Sequence, residues 1–166
     1  MIELMFDPDA AGGPVLGIDP GLSRCGYGVV ARRPGPPEAL ACGVIRTPVA
    51  EALPQRLLLL ADELASLIAD VRPSAVVVER VLFQANVRTA MSVGQASGLA
   101  FVAAARAGIP VAQYSPNEVK LAVTGDGRAD KAAVQTMVSR LLGLGSVPPP
   151  DAADALALAW CHIRSE

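Results

Sequence analysis

Four acidic side chains stand at places in the sequence where an unpaired charge would be costly to bury. Asp19 closes a short apolar run typical of a buried strand, and Glu79 closes a second run of the same kind. Asp151 and Asp154 lie three residues apart at the start of an otherwise apolar segment, so on a helix their Cβ atoms are roughly 5 to 6 Å apart. Carboxylates that converge without cysteines or paired histidines are hard ligands that suit Mg²⁺ or Mn²⁺. The pattern therefore indicates a divalent-metal site.

Two of these acids also have ordinary structural explanations. Asp19 precedes a Pro-Gly pair, so its side chain can cap that turn. Asp151 follows three prolines and can be the N-cap of its helix, a role that Asp154 cannot share. His162 is a poor candidate ligand, because it lies eight residues after Asp154, about 12 Å further along the helix axis. We expect it to be a partly solvated residue near the helix end.

The basic residues are distributed unevenly. The formal net charge of −2 argues mildly against nucleic-acid binding, since DNA-binding domains are usually basic. Of the 14 basic residues only Lys120 and Lys131 are lysines, and both lie close to a glycine-containing loop that carries Arg128. A local basic patch in this segment is compatible with the acidic total. The alternative, two ordinary solvated lysines, remains open.

Apolar periodicity and turn residues predict the elements that position these side chains. Short connections between the first three strands predict an antiparallel meander, because parallel neighbours need a crossover of about a dozen residues. The later strands alternate with helices. The predicted strands are Val15 to Ile18, Cys25 to Ala31, Ala39 to Ile45, Ala75 to Val78 and Val111 to Gln113, and the predicted helices begin near Pro54, Val87, Ser115, Asp130 and Asp151.

Length and composition limit the architecture. The 166 residues suit one domain, which we assign to residues 15–166, with residues 1–14 as a disordered extension. The 3 cysteines form no CxxC pair, which favours free thiols in a reducing cytoplasm over a disulfide frame or a zinc site. No apolar run approaches the roughly 20 residues that cross a bilayer, and the first residues lack the apolar segment of a signal peptide. We expect a cytoplasmic protein without a membrane partner.

Several segments together resemble one known family. They are GIDPG with GYGV, then VVVER, VGQASG, the VK and ADK segments, and DAADALALA. From Val15 to about His162 the chain resembles the RuvC-type Holliday-junction resolvases of the ribonuclease H-like superfamily. The resemblance implies an α/β fold of the ribonuclease H-like kind, with a five-stranded mixed sheet in the order 3-2-1-4-5 flanked by helices. The strands predicted from the residues alone agree with this order.

The resemblance also implies an activity. It implies a homodimeric, structure-specific endonuclease that binds a four-way DNA junction and nicks two opposed strands in recombination and repair, leaving ends that can be ligated. The branch-migration complex RuvA–RuvB is the implied protein partner. The four acids match the family's catalytic and metal-binding residues, which would hold two Mg²⁺ ions, or Mn²⁺ in their place, about 4 Å apart.

The basic and aromatic positions of the family are matched less completely. Lys120 and Lys131 match positions that would hold phosphates of the junction arms, and we assign Arg128 to the same DNA-binding set. The family usually has an aromatic residue three positions after the strand-end Glu, where this chain has Leu82 followed by Phe83. Phe83 can stack on an exposed base at the crossover. Alternatively, Leu82 acts there as an apolar wedge and Phe83 packs in the core.

The predicted second helix has small residues through its middle, including Gly94 and Gly98. Small side chains allow another backbone to approach closely. The approaching element is either the second subunit of the implied dimer or the sheet of the same subunit, and both alternatives remain open.

Three other functions fit only parts of the sequence. Actin-like ATPases share an acid-rimmed strand followed by glycine, but they need a second such loop and a much longer chain. A ribonuclease H acting on RNA–DNA hybrids would use similar acids, yet the segments outside the acids fit that family less well. A binding module with an inactive site would lack one acid, whereas this chain has all four.

Overall fold

A five-stranded sheet forms the centre of the molecule, seen in a computed structural model that describes residues 12–80 and 86–165. The strands are β1 Val15–Asp19, β2 Arg24–Ala31, β3 Glu38–Arg46, β4 Ala75–Glu79 and β5 Val111–Tyr114, in the order β3-β2-β1-β4-β5. The first three pair antiparallel, and β4 and β5 continue the sheet parallel to β1. The predicted order is confirmed. Residues 1–11 of the predicted extension lie outside the described residues.

Five helices flank the sheet within the described ranges: α1 Leu53–Val71, α2 Val87–Arg106, α3 Pro116–Thr124, α4 Lys131–Leu141 and α5 Pro150–Ser165. The predicted caps are present, since the Ser115 hydroxyl accepts from the backbone N–H of Glu118 at the start of α3. Asp130 likewise accepts from the N–H of Ala133 at the start of α4. Throughout the described part of the chain, every helix falls short of the length and apolarity that a bilayer crossing requires.

Side chains of the central strands alternate between two apolar cores. Leu16 and Ile18 of β1 are fully buried on the side of α1 and α2, whereas Val15 is buried on the side of α3, α4 and α5. β4 repeats this alternation. Because helices cover both faces, these strands are apolar at every position rather than at every second one. The sheet is thereby a rigid platform for the acids at the strand ends.

Helix α5 lies directly against β1 and β2. A Cβ on Gly17 would collide with the backbone of Ala155, and a Cβ on Gly26 would collide with the backbone of Asp151. Glycine at these two strand positions therefore permits an approach that any side chain would prevent. Gly26 pairs with Asp19 across the sheet. The first turn of α5 consequently meets the sheet beside the end of β1.

Helix α2 packs on the sheet through alanines and turns its glycines away. Ala96 and Ala100 are fully buried. Apart from the adjoining part of α2 itself, no atom of the described residues lies within 4 Å of a Cβ built on Gly94 or Gly98. The alternative in which these glycines pack against the sheet of the same subunit is therefore not seen in the described residues.

Candidate active site

The ends of two parallel strands bring the first two acids together. Strands β1 and β4 are neighbours in the sheet, with Ile18 paired to Val78, so the residues that follow lie at the same edge. These residues are Asp19 and Glu79, each the last residue of its strand and each partly buried. The sheet backbone thus determines where both carboxylates lie.

The first turn of α5 supplies the other two acids, Asp151 and Asp154. The helix begins at Pro150, so Asp151 is inside the first turn and the suggested N-cap role is wrong. Its carboxylate instead accepts a hydrogen bond from the Arg24 side chain. The turn-capping alternative for Asp19 finds no support either. A capping carboxylate accepts a hydrogen bond from the turn, but the causes that shift the pKa of Asp19 are burial and neighbouring charges, with no hydrogen bond from the described residues among them.

Burial and neighbouring charges make Asp19, Glu79 and Asp154 costly to ionise. Burial is the largest cause that raises the pKa of Asp19 to about 7, followed by the charges of Asp154 and Glu79, while Lys131 acts against them and Asp151 adds to them. Burial likewise raises the pKa of Glu79 and that of Asp154. Because the charge of Asp19 interacts with those of the three other acids, the four carboxylates form one electrostatic unit, named the acid cluster below.

Two cations contact the acids of α5 directly. Lys131 Nζ lies 2.6 Å from Oδ2 of Asp154. Nε and Nη2 of Arg24 each lie 2.6 Å from Oδ2 of Asp151. Burial acts to lower the pKa of Lys131, but the hydrogen bond and the charge of Asp154 outweigh it and raise that pKa. The protein thus neutralises part of the acid cluster with its own side chains.

The acid cluster fits a hard divalent cation by its chemistry. Its donors are carboxylate oxygens, the ligands that Mg²⁺ and Mn²⁺ prefer, and a cation would offset the repulsion that adds to burial in raising the pKa values of Asp19 and Glu79. Within residues 12–80 and 86–165, no three Asp, Glu, His or Cys side chains are already arranged around one ion position. Oδ2 of Asp151 contacts Arg24, and Oδ2 of Asp154 contacts Lys131.

The predicted DNA-binding cations lie at different distances from the acid cluster. Lys131 begins α4 and contacts Asp154, with 62% of its side chain exposed. Lys120 on α3 is close enough that its charge acts to lower the pKa of Glu79. Arg128 lies in the exposed loop between α3 and α4, where its backbone N–H donates to Asp126 Oδ1. Leu82 and Phe83 lie outside the described residues, so their roles stay predictions.

His162 is separate from the acid cluster, as expected. It lies near the end of α5, is partly buried, and its Nδ1 is 3.0 Å from the hydroxyl oxygen of Tyr114. The two rings also meet edge to face.

Sequence reasoning missed two arginines, one that contacts the acid cluster and one that holds a neighbouring turn. Arg24 precedes the predicted start of β2 by one residue and gives no local signal of its contact with Asp151. Arg56 on α1 donates from Nη2 to the Ser23 hydroxyl at 2.6 Å and from Nε to the Thr47 hydroxyl at 3.0 Å. Thr47 is buried and donates in turn to a carbonyl of the turn between β1 and β2. Arg56 therefore anchors the turn that connects Asp19 to Arg24.

Comparison with known proteins gives one consistent result. A family model described as crossover junction endodeoxyribonuclease RuvC matches residues 15–162. The crossover junction endodeoxyribonuclease RuvC of Salinispora arenicola is 60% identical over 151 residues, which cover 90% of this chain and 86% of that protein. The Thermus thermophilus RuvC structure is 39% identical with a TM-score of 0.84, covering 91% of this chain and 93% of its own. A structure of T. thermophilus RuvC in complex with Holliday junction substrate is 38% identical with a TM-score of 0.87, covering 92% and 94%.

Proposed function

Because the chain belongs to the RuvC family of crossover junction endodeoxyribonucleases and is a Holliday junction resolvase, we propose that it cuts the junction by metal-assisted hydrolysis at the acid cluster. The observation that carries this proposal is the convergence of four carboxylates from two strand ends and one helix turn into a single electrostatic unit. A buried group of like charges is costly, and it is common where a protein performs chemistry.

In the proposed mechanism the four acids would hold two divalent ions, Mg²⁺ with Mn²⁺ as a substitute. The chemistry that such ions supply when bound is Lewis acidity toward water and the phosphodiester. Asp19 and Glu79 contribute carboxylates whose positions the sheet determines. Asp151 and Asp154 contribute carboxylates that release their own cations to take part. The surrounding buried strands limit access of bulk water, so charge interactions in the acid cluster are strong.

The basic side chains beside the acid cluster would hold the DNA. Lys131 and Lys120 bring ammonium groups from α4 and α3 to the same edge of the sheet as the acids. Arg128 lies on the exposed loop that joins these helices, within the same segment. Ammonium groups bind phosphates without regard to base sequence. We assign these three residues to contacts with the phosphate backbone of the junction arms.

The segment that follows Glu79 would approach the crossover itself. Phe83 would stack on an unstacked base, with Leu82 as the alternative apolar wedge. Phe83→Ala separates the two: a stacking Phe83 predicts poor cutting at unchanged thermal stability, rescued by a junction already open at its centre. A destabilised variant that still cuts normally would assign the role to Leu82.

A homodimer would match the two-fold symmetry of the four-way junction. The outer side of α2 carries an apolar stripe at helical spacing: Val87, Met91, Gly94, Gly98 and Val102. Val87 is 74% exposed and Met91 is 62% exposed. An exposed apolar helix face with glycines at its middle permits close packing of a second helix, and we assign it to the other subunit.

Family membership also supports two wider assignments. A resolvase needs the junction moved to a cleavable site, so a branch-migration complex of the RuvA–RuvB kind is the proposed partner, and the cytoplasm, where DNA is recombined, is the proposed location. Co-purification with such a complex on a junction, compared with the same mixture on linear duplex, tests the partner.

One assay tests the proposed function as a whole. A synthetic mobile junction is incubated with the protein and MgCl₂, and cut positions are mapped on all four strands. We expect paired cuts at symmetric positions on two opposed strands, ligatable products, and no cutting with EDTA. Equal cutting of linear duplex, or undiminished cutting with EDTA, would contradict the proposal.

A further inference from the structure

Arg24 forms the second ion pair of the acid cluster, with Asp151, while Lys131 pairs with Asp154. Both Nε and Nη2 point to the same oxygen of Asp151, Oδ2. The Arg24 side chain is 42% exposed, whereas that of Asp151 is 23% exposed. The guanidinium is therefore within reach of a ligand from solvent while it touches a residue of the acid cluster.

The backbone keeps Arg24 at this position. It is the first residue of β2, two residues before Gly26, where the strand touches the backbone of Asp151. Its pairing partner on β3 is Arg46, which is also exposed. The Arg56 network holds the preceding residue, Ser23, against α1. The Arg24 side chain therefore extends from an anchored strand end, with a second guanidinium across the sheet.

The charge balance at this point changes when ions are loaded. In the ion-free protein the Asp151 carboxylate needs a cation, and Arg24 supplies it. A divalent cation bound by Asp151 would neutralise the charge that holds Arg24, whose two nitrogens both contact Oδ2, and would repel the guanidinium. Arg24 then lacks an acid partner, and the bound ions have made the surrounding edge of the sheet more positive. A phosphate diester, like a carboxylate, offers two oxygens to the two parallel N–H donors of one guanidinium.

From this geometry we infer that Arg24 exchanges partners: it holds Asp151 in the ion-free protein and binds a junction phosphate when divalent ions occupy the acid cluster. The inference rests on the proposed function, since it takes junction binding and ion binding at the acid cluster as given. It makes Arg24 a DNA contact on the β2 side, separate from the lysines of α3 and α4. It also makes junction affinity depend on ion loading through one identifiable side chain.

The test compares Arg24→Gln with a matched control, Arg33→Gln. Arg33 also points Nε and Nη2 at one carboxylate oxygen, that of Glu38, with 40% of its side chain exposed, but it lies at the far end of β2. Affinity for a synthetic four-way junction is measured across a salt series, once with EDTA and once with Ca²⁺ in place of Mg²⁺ so that binding is measured separately from cutting. Mn²⁺ affinity of the DNA-free proteins is measured by electron paramagnetic resonance.

We expect Arg24→Gln to lose roughly tenfold in junction affinity with Ca²⁺ and much less with EDTA. Its salt slope with Ca²⁺ should fall by roughly 0.9, and its Mn²⁺ affinity should rise because a competing cation is gone. Arg33→Gln should match the wild type in all three measurements. Arg24→Lys keeps the charge but loses the paired donors, so its junction affinity with Ca²⁺ should lie between those of the wild type and Arg24→Gln. It serves as the test variant if Arg24→Gln does not fold.

Other outcomes would overturn the inference. Equal losses with Ca²⁺ and with EDTA would show a permanent DNA contact rather than an exchange. An unchanged affinity with Ca²⁺ would show a structural ion pair only. Both results leave the proposed function intact, provided that the wild type binds and cuts the junction. A wild type that does not bind the junction would instead overturn the proposed function, and this inference with it.

Discussion

The acid cluster has two halves that the protein stabilises in different ways. Asp19 and Glu79 end buried parallel strands, and in the described part of the chain neither forms an ion pair. Asp151 and Asp154 lie in the first turn of α5, and each contacts a cation at 2.6 Å. The strand half is placed by the backbone, and nearby lysines act on its charge without forming an ion pair to it in the described residues. The helix half is compensated by side chains that can leave.

This difference assigns separate tasks to the two halves. Strand ends in a sheet covered on both faces move little, so Asp19 and Glu79 suit ligands that must be in place before an ion arrives. Their raised pKa values are the energetic consequence of that placement. Under the proposed function, the ion pairs of Asp151 and Asp154 would keep the helix half neutral until an ion displaced the cations. The two halves should therefore respond differently to the loss of a carboxylate, to pH and to the loss of a cation.

The largest expected effect is loss of cutting when either half loses a carboxylate. Asp19→Asn and Asp154→Asn keep the shape of the side chain but remove the charge that metal ligation needs. Loss of one ligand should remove several kcal/mol of transition-state stabilisation, roughly 10³-fold or more in rate. Junction binding by gel shift should persist.

The control for this experiment is Asp62→Asn, which changes an exposed acid of α1. It should cut at the wild-type rate. If Asp19→Asn or Asp154→Asn retained full cutting, the acid cluster would not be the catalytic site.

The second prediction concerns the pH dependence of stability in the ion-free protein. The pKa of Asp19 is raised from 3.8 to about 7 in the folded state, so the folded protein binds a proton more tightly than the unfolded chain does. Stability should therefore fall as pH rises between about 4 and 7, by up to about 4 kcal/mol from this residue. The raised pKa of Glu79 adds to the fall.

Divalent ions should reverse this trend, because they bind the ionised acids. Melting temperatures are measured with EDTA and with MgCl₂ from about pH 5 to about pH 8. The two curves should be close at the acid end and separate as pH rises. Parallel curves would show that the acid cluster does not bind the ion, and a rise in ion-free stability with pH would contradict the raised pKa of Asp19.

Much of this arrangement could be predicted from the sequence because it depends on local patterns. Apolar runs ending in an acid located β1 and β4, and each predicted strand end falls within one residue of the observed end. The odd number of cysteines indicated free thiols, and all three are free. The parallel pairing of β1 with β4 then brings Asp19 and Glu79 together without further information.

The compensation of the helix half could not be predicted in the same way. Arg24 and Asp151 are 127 positions apart in the chain, and their contact depends on how closely α5 approaches β2. That approach depends on the missing side chain of Gly26, whose role becomes visible only in the packed structure. The outward position of Gly94 and Gly98 was equally hidden, because small residues predict a close approach without naming its partner.

The third prediction compares the stability effects of neutralising each half. At about pH 8 with EDTA, Asp19→Asn removes a buried charge whose pKa is raised by burial and repulsion, so it should raise the melting temperature by roughly 5 °C or more. Asp151→Asn removes one partner of a half-exposed ion pair, which is worth only about 0 to 1 kcal/mol. Its melting temperature should stay within a few degrees of the wild type. Equal shifts in the two variants would show that the halves do not differ.

The smallest expected effect separates the two lysines. Lys120→Ala and Lys131→Ala should each weaken junction binding and lower the salt slope by roughly 0.9, because each removes one phosphate contact. Lys131 is paired with Asp154 in the ion-free protein, whereas Lys120 acts on Glu79 only through its charge. Lys131→Ala should therefore lose more affinity with Ca²⁺ than with EDTA, and Lys120→Ala should lose about the same in both. Glutamate at either position should be worse than alanine, since it repels the phosphate. If both alanine variants kept the wild-type salt slope, the lysines would be ordinary surface residues. If the loss of junction affinity depended on Ca²⁺ to the same extent in both variants, the ion pair of Lys131 would not limit its access to DNA.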